Sequence, residues 1–371
     1  MSVPAFIDLS EADQISELQQ YFKSKNIEVK EEGVLFNDVK QLIISTAELW
    51  KDTEGKDIEG VVNSILSLLF VIPIDKGCEL VDLLCEQLLR GAESGKAPVS
   101  LNLLHNLFHG YPTKTPFLCK VYSTWLKLAK VSRSIHLVPT NLKELSSWLE
   151  DWNAGEEGRQ NVLRLLYEAQ LNCGRNKEAA ETMITLLQSY TEENAGKARE
   201  DAIRCITKAL ADPNTYLFNQ LLTLKPVTFL EGEPLHDLLN IFVSGNIKEY
   251  KDFYETNKEF IESIGLSHTS NTRKMQLLTL VDNFGSAREI SFDDIIARLD
   301  ISEDDVEEFI IDAIQSKLMR GRIDHVNRKV IVSQACQRIF GRAQWESLAS
   351  RLEQWRDNIN RVNGKLQTLQ V

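Results

Sequence analysis

The sequence predicts an all-α helical-repeat solenoid followed by a small α/β winged-helix module and a C-terminal bundle helix. Three observations carry this reading. From about residue 11 to 265, apolar residues recur at helical spacing in nearly every segment, with no sustained period-2 alternation. The stretch EISFDDIIARLDISEDDVEEFIIDAIQSKLMRGRIDHVNRKVIVSQ, residues 289–334, reads as a short strand, two short helices and a hairpin. The last segment repeats large apolar residues every three or four positions. The expected domains are a solenoid over 1–270, a winged helix over 271–335 that joins the preceding helices, and a C-terminal amphipathic helix over 336–371.

Segments such as VVNSILSLLFVI, CELVDLLCEQLL and NVLRLLYEAQL are each followed by a few Gly, Pro, Asn or Asp residues. These end one helix and cap the next, and links this short make consecutive helices antiparallel neighbours. Helix starts are expected near 57, 76, 97, 115, 140, 156, 177 and 194, a rhythm of roughly 40 residues per helix pair that matches degenerate helical repeats. Arrays of this kind present long faces to other proteins. Pro213 and Pro226 are expected to bracket one later helix, and NTRKMQLLTLVDNF to form the first helix of the winged module.

The 371 residues carry a net charge of -12 and are 43% hydrophobic, so the chain buries a sizeable core and is not built chiefly to wrap nucleic acid. No secretory signal is visible, and the longest apolar run, ILSLLFVIPI, is about half the length of a membrane-spanning helix. A cytoplasmic chain with no membrane contact is expected. Six scattered cysteines without a CxxC pair read as reduced core thiols.

The winged module carries unusual charge for a DNA reader. Its recognition helix holds Glu303, Asp304, Asp305, Glu307, Glu308 and Asp312 and no Lys or Arg, which excludes major-groove reading of DNA. The wing is basic, with Arg320, Arg322, Arg328 and Lys329 as candidate RNA contacts. The stronger expectation for the wing is an open sheet edge at Ile323 and at Val330, Ile331 and Val332, pairing with another sheet. In the last segment, Trp345, Leu348, Leu352, Trp355, Ile359, Val362 and Leu366 form one stripe that must either fold back on its own module or zip against helices of other chains, and the length of the stripe favours the second.

No catalytic residue, cofactor site or metal site emerges. RGAESGKAP lacks the first Gly and the Ser/Thr of a phosphate loop. His105 and His109 sit four apart, but no HExxH glutamate or third ligand accompanies them.

Helical repeats running into a winged helix and a terminal bundle helix resemble the PCI domain, shared by the proteasome lid, the deneddylating signalosome and eukaryotic translation initiation factor 3. MSVPAFIDLSEADQ, NLFHG, SYTEENAGKAREDAIRCITKALADPN and LLTLKPVTFLEGEPLHDLLNIFVSG are similar to the M-subunit family of initiation factor 3. The resemblance implies a non-catalytic scaffold in a complex of PCI and MPN subunits. Such a complex binds the small ribosomal subunit and supports mRNA recruitment in translation initiation. A PCI subunit of the signalosome or proteasome lid is the alternative.

Overall fold

Helices with one apolar face make up most of the chain. The computed structural model describes residues 10–369 apart from 28, 30–32, 53, 192–193, 285–288, 300 and 340. It divides into two compact units, Met1–Ser189 and Tyr190–Val371. The helices between 190 and 270, which the sequence reading assigns to the solenoid, thus fall in one unit with the winged module. Most of MSVPAFIDLSEADQ lies outside the described residues.

The first unit runs through α1 (Glu11–Ser24), α2 (Leu35–Asp52), α3 (Gly55–Val71), α4 (Ile74–Gly91), α5 (Ala97–Gly110), α6 (Leu118–Ser132), α7 (Leu142–Asp151), α8 (Gly155–Asn172) and α9 (Asn176–Gln188). The starts of α3 to α9 lie within three residues of those expected. Successive even-numbered helices from α2 to α8 pack side by side as one layer, and α3 packs on α5 in the other. Ion pairs stitch the even layer: Lys40–Glu79 at 2.5 Å, Asp82–Lys120 at 2.6 Å and Lys130–Glu168 at 2.6 Å. Each is partly exposed and contributes little stability alone, but together they hold neighbouring repeats in register. Trp125 and Tyr122 are fully buried between the layers. The RGAESGKAP stretch is the α4–α5 turn, where Gly95 takes a φ of 82° and the Lys96 amine donates to the Trp50 carbonyl at 2.7 Å.

The second unit opens with a 3-10 turn, Ala195–Ala198, which delays α10 (Arg199–Ala211) relative to the expected start near 194. Short helices α11 (Asn219–Leu222) and α12 (Lys225–Thr228) follow, then α13 (Pro234–Ser244), α14 (Ile247–Thr256) and α15 (Lys258–Ser263). Pro226 begins a helix rather than following one, since a residue without an N–H is tolerated in the first turn.

The winged module comprises α16 (His268–Phe284), β1 (Glu289–Ser291), α17 (Phe292–Leu299), α18 (Val306–Gln315), β2 (Met319–Asp324) and β3 (Lys329–Ala335), and α19 (Arg342–Leu369) ends the chain. The sheet is antiparallel with strand order β1-β3-β2. Phe309, Ile310, Ile295 and Val330 are fully buried in its core.

One polar group fixes α16 from inside. The ammonium of Lys274 donates to the carbonyls of Ala209 (3.2 Å), Leu210 (3.0 Å) and Asp212 (2.6 Å), closing the C-terminus of α10. It lies over the Phe218 ring at 5.0 Å, and burial pulls its pKa down to about 8.

Candidate protein-interaction site

The spacing that writes a stripe into residues 345–366 produces a 28-residue helix, α19, with that stripe facing solvent. Leu352, Trp355, Ile359 and Val362 are more than half exposed, and Trp345 (61%) and Leu348 (39%) continue the row. The Leu366 side chain lies outside the described residues. A soluble chain rarely leaves so long an apolar row open unless another surface covers it. At 1.5 Å per residue the helix reaches about 40 Å.

The root of this helix is buried. Arg338, 4% exposed, sends its guanidinium into the C-terminus of α13. It donates to the carbonyls of Ile241 (2.8 Å), Phe242 (2.6 and 2.9 Å) and Gly245 (2.8 Å), and pairs with the Asp282 carboxylate at 2.7 Å. A planar fork with five donors suits this set of acceptors; an ammonium lacks the reach and the donor count. The segment leaving β3 is thereby pinned to α13 and α16 just before α19 begins.

The wing departs from the expected arrangement. Glu289, Ile290 and Ser291 of β1 pair with Ile331, Val330 and Lys329, while Arg322 and Ile323 of β2 pair with Ile331 and Val330 on the other side. Val330 and Ile331 therefore occupy a central strand and are not edge positions. Val332 pairs with Gly321 of β2, and its side chain turns into the core. Of the expected edge residues, Ile323 lies on an edge strand, β2. Alternation shows which face a strand buries but not which strands flank it, and the three-residue β1 is easily overlooked.

The wing's cations divide in two. Arg328 bridges Glu303 at 2.7 Å and Asp293 at 3.4 Å, and Lys329 pairs with Glu289 at 2.8 Å. His325 meets Glu307 at 2.5 Å. The acidic recognition helix thus serves partly as the wing's own counter-charge. Arg320 and Arg322 are exposed and make no ion pair among the described residues. His105 and His109 are exposed with ring centroids 4.4 Å apart, and no group of three or more potential metal ligands gathers among the described residues. Among the described residues, no helix is long and apolar enough to cross a membrane.

Two family models match this half of the chain: "PCI domain" over residues 250–334 and "eIF3 subunit M, C-terminal helix" over 338–363. The whole chain is 47% identical to eukaryotic translation initiation factor 3 subunit M of Danio rerio over 372 residues, covering 100% of this chain and 99% of that protein. The same subunit of Homo sapiens is 46% identical and that of Xenopus laevis 45%, with the same coverage. The chain belongs to the eukaryotic translation initiation factor 3 subunit M family.

The family's C-terminal helix match begins at Arg338, the residue that anchors α19, so the match takes in root and stripe together. Subunit M relatives along the full length do not favour the signalosome or proteasome lid. Sequence reading missed Lys274 and Arg338. The signal available was a lysine heading the apolar run MQLLTLV, and a basic residue just before the terminal stripe.

Proposed function

We propose that the chain is a non-catalytic, cytoplasmic scaffold subunit of translation initiation factor 3. It holds other PCI and MPN subunits and, through the complex, supports recruitment of the small ribosomal subunit and mRNA. The observation that carries this reading is the open stripe of α19, centred on Leu352, Trp355, Ile359 and Val362 and rooted by a buried arginine. In this reading the stripe enters a bundle with helices of neighbouring subunits, where each large side chain fills a hole between partner residues. The edge strand β2, including Ile323, adds a neighbour's strand through main-chain hydrogen bonds. Arg320 and Arg322 remain the wing cations best placed to touch RNA.

The test is co-purification of the tagged full-length chain and of a Leu352→Ala/Trp355→Ala variant from cytosolic extract. The reading expects stoichiometric PCI and MPN companions for the first and their loss for the second. Full assembly of the variant contradicts it.

A further inference from the structure

Between Glu93 and Glu144 the chain has no Asp or Glu and seven Lys or Arg, in a protein whose net charge is -12. Several of these cations are engaged within the first unit: Lys120 with Asp82, Lys130 with Glu168, and Lys96 with the Trp50 carbonyl. At the end of α6, however, Lys127, Arg133 and His136 are exposed. Beside them stand two large apolar side chains in solvent, Val131 (73% exposed) and Leu137 (41%). Lys127 and Val131 lie one turn apart on the same helix face.

This surface is held in shape from below. Arg133 ends α6 in the left-handed conformation at φ 53°, and Ser134 donates to the Ala129 carbonyl at 3.1 Å. Ile135 and Val138 are buried, and the Tyr122 hydroxyl donates to the Pro139 carbonyl at 2.7 Å. Glu168 is paired by Lys130, and Glu144 accepts from the Asn141 amide. A rigid cationic surface with exposed aliphatic side chains needs little ordering before it binds.

We propose that this end of α6 and the turn after it dock an acidic segment of another protein, with apolar side chains spaced among its carboxylates. Lys127 and Arg133 meet the carboxylates, the guanidinium by a two-point contact, while Val131 and Leu137 are covered by the apolar side chains. RNA fits less well: the exposed apolar side chains here are the aliphatic Val131 and Leu137, Tyr111, Phe117, Tyr122 and Trp125 are buried, and His136 alone of the groups named offers a ring for a base to stack on.

The test places photoreactive benzoylphenylalanine at position 131 or 137 of the full chain, assembles it with its companion subunits, and identifies the crosslinked residues by mass spectrometry. The expected product is a protein segment of net negative charge with interspersed apolar residues. Its yield should fall several-fold in the Lys127→Gln/Arg133→Asn background, where Asn retains the left-handed turn, and further with Lys127→Glu. Co-purification, read in parallel, reports assembly separately from this contact. No crosslink in an assembled complex, a crosslink to RNA, a segment without net negative charge, or a yield indifferent to the charge changes overturns the proposal.

Discussion

Arg338 donates twice to the Phe242 carbonyl, at 2.6 and 2.9 Å, across 96 residues of sequence. Together with the Asp282 pair, this contact couples the end of the wing to the C-terminus of α13. Removing the guanidinium orphans buried carbonyls and the carboxylate, so Arg338→Ala should cost about 3 to 5 kcal/mol in denaturant unfolding. Arg338→Lys should recover less than half of that, because an ammonium cannot reproduce the fork. A loss below about 1 kcal/mol for Arg338→Ala, the range of an exposed pair, contradicts the anchoring role.

Lys274 predicts a pH dependence. Burial lowers its pKa from 10.5 to about 8, so the folded chain releases this proton before the unfolded chain does. Between those values the unfolded state binds more protons, and the contribution of Lys274 to stability rises with pH. Below about 8 it is constant. Denaturant midpoints of the wild type and Lys274→Met, compared across pH, should diverge in favour of the wild type above pH 8, by on the order of 3 kcal/mol at most. A difference that stays flat through this window contradicts the buried, proton-releasing amine.

The central position of β3 changes which substitutions probe the sheet edge. Along an edge strand, consecutive N–H groups point alternately to the partner strand and outward. Of Arg322→Pro and Ile323→Pro, one should disrupt the β2–β3 hairpin and the other should fold normally. If β2 pairs with a neighbour, the variant that folds should lose assembly. Full assembly by that variant argues against edge pairing, whereas proline at Ile331 tests only the integrity of the sheet.

Truncation after Arg342 should leave the thermal midpoint of the isolated chain nearly unchanged, since the stripe faces solvent along α19. Incorporation into the complex should fail. Within the stripe, Trp355→Ala should weaken assembly by about 3 to 5 kcal/mol, the cost of removing a large aromatic from a packed core. Asn358→Ala, one turn away on exposed surface, should be tolerated.

Much of the fold was legible because helix formation and one-sided burial leave a periodic trace, and the stripe from Trp345 to Val362 needed only its spacing to be read. Lys274 and Arg338 left no such trace. Apart from Asp282, their hydrogen-bond acceptors are backbone carbonyls 62 to 97 residues earlier, and a carbonyl carries no side-chain identity. Strand order was hidden for a related reason: the alternation of β3 shows that Val330 and Val332 turn inward but not that β1 lies alongside. The pairing of Arg328 with Glu303 was equally invisible, so the wing looked more basic in sequence than its surface is.

The most direct measurement of the assembly role is amide hydrogen exchange over residues 345–362, in the free chain and in the assembled complex. A helix whose apolar row faces solvent opens readily, so the account predicts rapid exchange in the free chain and strong protection on assembly. Protection of this segment in the free chain, unchanged on assembly, contradicts it.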